Sequence, residues 1–183
     1  MTEKEKMINS ELYDANNVEL VAEREACKEL CYDYNHLRPS NSEERNVTMR
    51  KLLGNCKGSF TIEPNVWFDY GYNISIGENF YSNHNLVILD GAKVTFGDNV
   101  FIAPACGFYT ATHPTDAAER NKGLEFAKPI TIGNNVWIGG GVTVLPGVEI
   151  GDNCVIGAGS VVVKSIPENS IAVGNPCKVI RKL

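Results

Sequence analysis

The stretch Ile132–Pro167, read as IGNNVW-IGGGVT-VLPGVE-IGDNCV-IGAGSV-VVKSIP, divides without a gap into six hexads. Each opens on a β-branched aliphatic residue: Ile132, Ile138, Val144, Ile150, Ile156 and Val162. The fifth positions are Val136, Val142, Val148, Cys154, Ser160 and Ile166, a run of small or medium residues. Two inward positions in six fit neither the helical period of about 3.6 nor plain alternation. They fit a coil of flat β faces joined by tight corners, with one hexad per face and three faces per turn. Glycine in second position (Gly133, Gly139, Gly151, Gly157) supplies corner conformations.

A longer signature, aliphatic-x-aliphatic or aromatic-Gly-acid or Asn-Asn, recurs at Ile74–Asn79, Val94–Asn99, Ile130–Asn135 and Val148–Asn153. Its glycines, 77, 97, 133 and 151, are spaced by 20, 36 and 18 residues. Eighteen is one coil, and 20 implies a two-residue slip near Val94. The interval of 36 holds three readable hexads, opening at Phe96, Ile102 and Phe108, before the pattern fails. Residues 114–131 are therefore expected as a loop thrown out of the coil directly after His113. Such a loop is either a passive insertion or a functional one, and long ordered loops in compact domains are disproportionately functional.

Outward from the coil, residues 1–57 are polar and charge-rich. Leu20, Val21, Arg24, Cys27, Leu30, Cys31 and Tyr34 fall at helical spacing, and a further helix is expected from Ser42 to Leu53, closing at Gly54. Asn9 or Ser10 is expected to cap a first short helix. Two domains follow, a helical segment 1–57 and a β-coil 58–183, with residues 168–183 capping the open end.

The 183 residues suffice to bury a core without disulfide or metal staples. Seventeen Lys and Arg against 22 Asp and Glu leave −5, with no basic block for polyanions. The opening MTEKEKMINS lacks the order of a signal peptide, no apolar run is long enough to span a bilayer, and a cytoplasmic protein with six reduced cysteines is expected.

The hexads, together with Tyr109-Thr110-Ala111-Thr112-His113-Pro114, Gly123-Leu124-Glu125-Phe126, Val136-Trp137-Ile138-Gly139-Gly140 and Gly174-Asn175-Pro176-Cys177, resemble the hexapeptide-repeat sugar O-acetyltransferases. The segments Leu12–Asn16 and Glu23–Ser40 narrow the likeness to maltose, galactoside and nodulation-type O-acetyltransferases, the maltose branch favoured. The resemblance covers essentially the whole chain. It implies a mainly β fold, a left-handed parallel β-helix with a small N-terminal helical domain and a protruding catalytic loop, an exception to right-handed crossovers. It also implies a homotrimer, with acetyl-CoA as cosubstrate in a groove between subunits and direct acetyl transfer to a sugar hydroxyl.

By the same resemblance His113 is the catalytic base. Imidazole titrates near neutrality and suits deprotonation of a hydroxyl. Acceptor binding falls to Asp14, Asp69, Tyr81, Asn83 and Glu125; for the carboxylates a cap or turn role competes. Asp69 stands where galactoside enzymes often carry Ser, and Gly91 where they carry a second acid. Gly140 and Ala158 would let the pantetheine arm approach the backbone, and Lys164, Lys178 and Arg181 would meet phosphates. Trp137 belongs either to the cofactor groove or to subunit packing. A backbone N–H at Gly139–Gly141 is the expected oxyanion donor.

Two other classes compete. A γ-carbonic-anhydrase-like metal enzyme would need three histidines, and His84 and His113 have no third partner nearby, His36 lying in the helical segment; no metal is expected. A non-catalytic solenoid would have no use for His113-Pro114 and its loop.

Overall fold

The computed structural model describes residues 1–183, which form a parallel β-solenoid of triangular section. Its first face stacks Asn55–Cys56, Ile74–Ile76, Val94–Phe96, Ile130–Ile132 and Glu149–Ile150. The second stacks Phe60–Ile62, Phe80–Ser82, Phe101–Ile102, Trp137–Ile138, Val155–Ile156 and Ser170–Val173, and the third stacks Val66–Phe68, Leu86–Leu89, Gly107–Tyr109, Thr143–Val144 and Val161–Val162. The first and fifth hexad positions point inward: all twelve of those residues between Ile132 and Ile166 are buried, Cys154 and Ser160 included.

The corner between the first and second faces is a stack of identical turns. Asn79, Asn99, Asn135, Asn153 and Asn169 all adopt φ between 54° and 57°, a left-handed conformation that Asn tolerates better than most residues. Each side-chain amide of this column donates to the next Asn, at 2.9, 3.2, 3.0 and 3.0 Å. Beside it the coils approach so closely that a Cβ on Gly97 would lie 2.7 Å from the Gly133 carbonyl carbon.

The corner between the third and first faces behaves differently. Strand registers shift by 20 residues between the first coils (Val66↔Leu86, Val87↔Gly107), by 36 at Gly107↔Thr143 and by 18 at Thr143↔Val161. The two-residue slip expected once, near Val94, is thus present in two coils, at residues 69–73 and 89–93, on this same corner as the long excursion. The excursion itself runs from Thr110 to Pro129, since Ile130–Ile132 already pairs with Val94–Phe96.

At the N-terminus are α1 (Glu3–Ile8), α2 (Val18–His36) and α3 (Ser42–Leu52). The cap of α1 is Thr2, in a reciprocal capping box with Glu5, while Asn9 lies at the C-terminal end. The Asn9 or Ser10 expectation is corrected by the Thr-x-x-Glu pair, which satisfies two otherwise orphaned N–H groups at once. The first coil strand begins at Asn55, three residues before the composition shift at 58. Cys27, Cys31, Tyr34, Met49 and Leu52 join the coil interior in one hydrophobic core.

At the other end, Lys178–Lys182 pairs antiparallel with Ser170–Val173. The Gly174–Cys177 turn covers the last strand of the third face, accepting Val161 N–H at Gly174 and donating from Cys177 to Val161. The final exposed strand carries Lys178, Arg181 and Lys182, charges that discourage edge pairing. All six cysteines are free thiols, and no helix is long and apolar enough to cross a membrane.

Candidate active site

The excursion is held shut at its base. Buried Thr110 donates its hydroxyl to the Leu89 carbonyl (2.7 Å) and accepts Ala92 N–H (2.9 Å), while Lys128 N–H closes onto the Thr110 carbonyl (2.9 Å). Within it lie Ala111–Thr112, α4 (Ala117–Arg120, capped by Asp116) and Leu124–Ala127. A third strand, Tyr13–Asp14, pairs antiparallel with Leu124–Ala127 and comes from the helical segment. That strand orders the loop, since an isolated two-stranded ribbon is marginal alone.

Between this small sheet, α2 and the third corner lies a cavity of about 290 Å³. Its walls include Tyr13, Arg24, Asp69, Tyr70, His113 and Glu125. His113 Nδ1 faces the Leu124 carbonyl at 3.2 Å. A carbonyl only accepts, so Nδ1 carries the hydrogen of the neutral ring and the lone pair sits on Nε2. Nε2 lies 3.8 Å from Glu125 Oε1, beyond hydrogen-bond reach yet close enough to stabilise an imidazolium once it forms. Glu125 Oε2 accepts the Tyr13 hydroxyl at 2.7 Å. Burial, then Glu125, push the Tyr13 phenol far above its ordinary range, so it remains a donor.

Arg24 reaches over from α2, donating to the Tyr70 hydroxyl (2.7 Å) and the Ala15 carbonyl (2.6 Å). Burial pushes the Tyr70 phenol up to about 12 against the pull of Arg24. Burial also raises the Asp69 carboxyl; Arg24 opposes this and Glu125 reinforces it. Under this corner Asp90, wholly buried, accepts the backbone N–H of Asp69 (3.1 Å), Tyr70 (2.9 Å) and Asn73 (3.3 Å).

The expected base, His113, and two of the expected acceptor residues, Glu125 and Asp69, meet in this cavity. Asp14 sits beside it, its carboxylate accepting Asn16 N–H at 2.9 Å in a local turn. Tyr81 is in a second-face strand and Asn83 starts the corner between second and third faces, so one strand of the third face separates Asn83 from the cavity. Gly140 and Ala158 stack at that same second corner. Trp137 is 57% exposed on the second face, Lys164 follows the last strand of the third, and Lys178 and Arg181 lie on the final strand. Tyr13, Arg24 and Tyr70 were not singled out from sequence. Tyr13 lies in the quoted Leu12–Asn16 segment, but its pairing with Glu125 spans 112 residues and leaves no local trace. No group of three or more His, Cys, Asp or Glu side chains is arranged to hold a metal ion.

Two family models match the chain: the maltose acetyltransferase hexapeptide capping motif over residues 6–58, and the six-repeat bacterial transferase hexapeptide over residues 129–164. A galactoside O-acetyltransferase of Escherichia coli K12 is 49% identical over 85% of this chain and 77% of its own length. The crystal structure of a maltose O-acetyltransferase from Clostridium difficile 630 superposes with a TM-score of 0.98 at 52% identity, over 100% of this chain and 98% of that one. A galactoside acetyltransferase in complex with coenzyme A gives 0.96 at 45% identity, over 100% and 91%.

Proposed function

The chain belongs to the maltose and galactoside O-acetyltransferase family of hexapeptide-repeat enzymes, and from that premise we propose that it transfers acetyl directly to a hydroxyl of a small sugar, with His113 as general base. It is an acetyltransferase, and acetyl-CoA is its cosubstrate. The observation that carries the reading is the hydrogen bond from His113 Nδ1 to the Leu124 carbonyl, which leaves the basic Nε2 free beside the cavity. As the sugar oxygen bonds to the acetyl carbon, its proton passes to Nε2 and the carbon–sulfur bond breaks. The imidazolium then returns the proton to the departing thiolate, and Glu125, hydrogen-bonded by Tyr13, stabilises the cation in between.

Acetyl-CoA would lie along the second corner of a neighbouring subunit of a homotrimer. A Cβ on Gly140 would meet nothing of its own chain closer than Pro104 O at 3.4 Å, so internal packing does not demand glycine there. Gly139 and Gly141 N–H donate within the coil, to Ile156 and Pro104, whereas Gly140 N–H is uncommitted and suits an oxyanion donor. Asn83, from the same corner, would orient the acceptor, with Tyr81 and Asp14 flanking it. Lys164, Lys178 and Arg181 would meet the phosphates of the cofactor, and Trp137 would line the groove. Abundant acetyl-CoA and six free thiols suit the cytoplasm.

The test is thiol release from acetyl-CoA with glucose, maltose, a galactoside and a blank, in native and His113→Ala protein. Sugar-dependent release that collapses in the variant, with CoA binding retained in calorimetry, is expected. Release that survives the substitution overturns the assignment of the base.

A further inference from the structure

We propose that Asp69 selects a cationic acceptor, so that an amino sugar, held through its ammonium, is acetylated on oxygen in preference to the neutral hexose. The inference rests on the acetyl-transfer reading above and concerns which acceptor that site takes.

Arg24 and Lys28 act on the Asp69 carboxylate only through space, without a hydrogen bond or ion pair. The Asp69 carboxylate lines the cavity, yet it accepts no hydrogen bond and makes no ion pair, although its backbone N–H is held by Asp90. The other charged groups of the cavity are already engaged. Glu125 takes the Tyr13 hydroxyl and faces His113. Arg24 donates to Tyr70 and to the Ala15 carbonyl, and to neither carboxylate. With the base neutral, the cavity therefore holds two carboxylates against one guanidinium.

The backbone that carries Asp69 is fixed beside the cavity. Three backbone N–H groups of residues 69–73 converge on the buried Asp90 carboxylate, and Asn73 adds a side-chain bond to the Asp90 carbonyl at 2.7 Å. The corner is fastened from beneath, with Asp69 at its start. A partly buried carboxylate without a partner is costly, and the raised Asp69 carboxyl reflects that cost. A neutral hydroxyl supplies a hydrogen bond but no charge; an ammonium supplies both, in the stronger charge-assisted form.

The volume, about 290 Å³, is at the low end of ligand pockets and suits a single sugar ring. An ammonium bound to Asp69 has no lone pair and cannot attack the thioester. The nucleophile is then a ring hydroxyl directed at His113 Nε2, and the product is an ester beside a free amine.

The experiment compares glucosamine with glucose as acceptors at about pH 6.5, below the ~7.7 of an α-amino group, in native and Asp69→Asn protein. Product is kept in mild acid, where the protonated amine blocks O-to-N acyl migration, and ester and amide are told apart by the proton NMR of the acetyl group and of the carbon-bound protons beside it. The expected result is a kcat/KM ratio of glucosamine to glucose of about ten or more in the native enzyme, falling to about one in Asp69→Asn, with ester as product. A tenfold ratio corresponds to about 1.4 kcal/mol. A native ratio near one, a ratio unchanged by the substitution, or an amide product overturns the inference while leaving acetyl transfer standing. If neither sugar supports thiol release, the acetyl-transfer reading itself has failed. Calorimetry of glucosamine hydrochloride against glucose then decides the charge preference separately, and equal binding overturns it.

Discussion

The first corner of the coil and the third are turns of the same prism, yet one is a stack of copies and the other a stack of exceptions. At the first, five Asn residues share one conformation and bond in a column, and glycines let successive backbones touch. At the third, successive coils add two, two and then 18 residues to the 18-residue repeat, and the helical segment packs its Tyr13 and Arg24 there. The contrast shows how the molecule divides its work. Where coils contact through backbone, the glycine and Asn positions repeat, and where the chain bulges outward there is room for a cavity and for charge.

The largest effect that separates the two corners concerns His113. His113→Ala is expected to lower kcat/KM by about 10²- to 10⁴-fold, with the melting temperature unmoved, because the ring is about half exposed. A large loss of stability in that variant would mean that the third corner is scaffold after all.

Gly97→Ala is the converse. Its Cβ would press on the Gly133 carbonyl carbon at 2.7 Å and on Asn134 Oδ1 at 2.6 Å, a cost of about 1–3 kcal/mol. Thermal or denaturant unfolding should register the loss while activity per folded molecule persists; unchanged stability would break the claim of backbone contact.

Asp90 gives a third test, through pH. Burial pushes its carboxyl up to about 6 from an ordinary 3.8, despite three N–H donors. Between those values the native state holds more protons than the unfolded state, so this group's contribution to stability falls as pH rises and levels off above about 6. Denaturant unfolding at several pH values should show that slope in the native protein and its loss in Asp90→Asn. Identical slopes in both would show that burial does not raise the Asp90 carboxyl in this range.

The smallest effect expected is that of Tyr13→Phe. It removes one hydrogen bond to Glu125, worth about 0.5–1.5 kcal/mol, and kcat should fall by about two- to tenfold. No change would separate the helical segment from the chemistry.

The sequence made the first corner legible and left most of the third hidden, for a physical reason. Periodicity reports residues that meet the same environment coil after coil, so the hexads announced the inward positions and the Gly-x-Asn turns. A site assembled from Tyr13, Arg24, Asp69, His113 and Glu125 joins residues that share no period and lie up to 112 positions apart. The failed repeat marks only the loop that follows His113; the roles of His113, Glu125 and Asp69 come from the resemblance. Tyr13 leaves no such mark, because a two-residue strand shows no alternation to reveal which side chain turns inward.

On the proposed reading the site is shared, with His113 at the third corner of one subunit completed by Asn83 at the second corner of its neighbour. Chains carrying His113→Ala and chains carrying Asn83→Ala, each deficient alone, can be unfolded together, refolded as a mixture and assayed. If sites form between subunits, random mixing of equal amounts restores up to about a quarter of native activity, since one interface in four then pairs an intact His113 with an intact Asn83. Activity no higher than the average of the two variants refolded separately would contradict it.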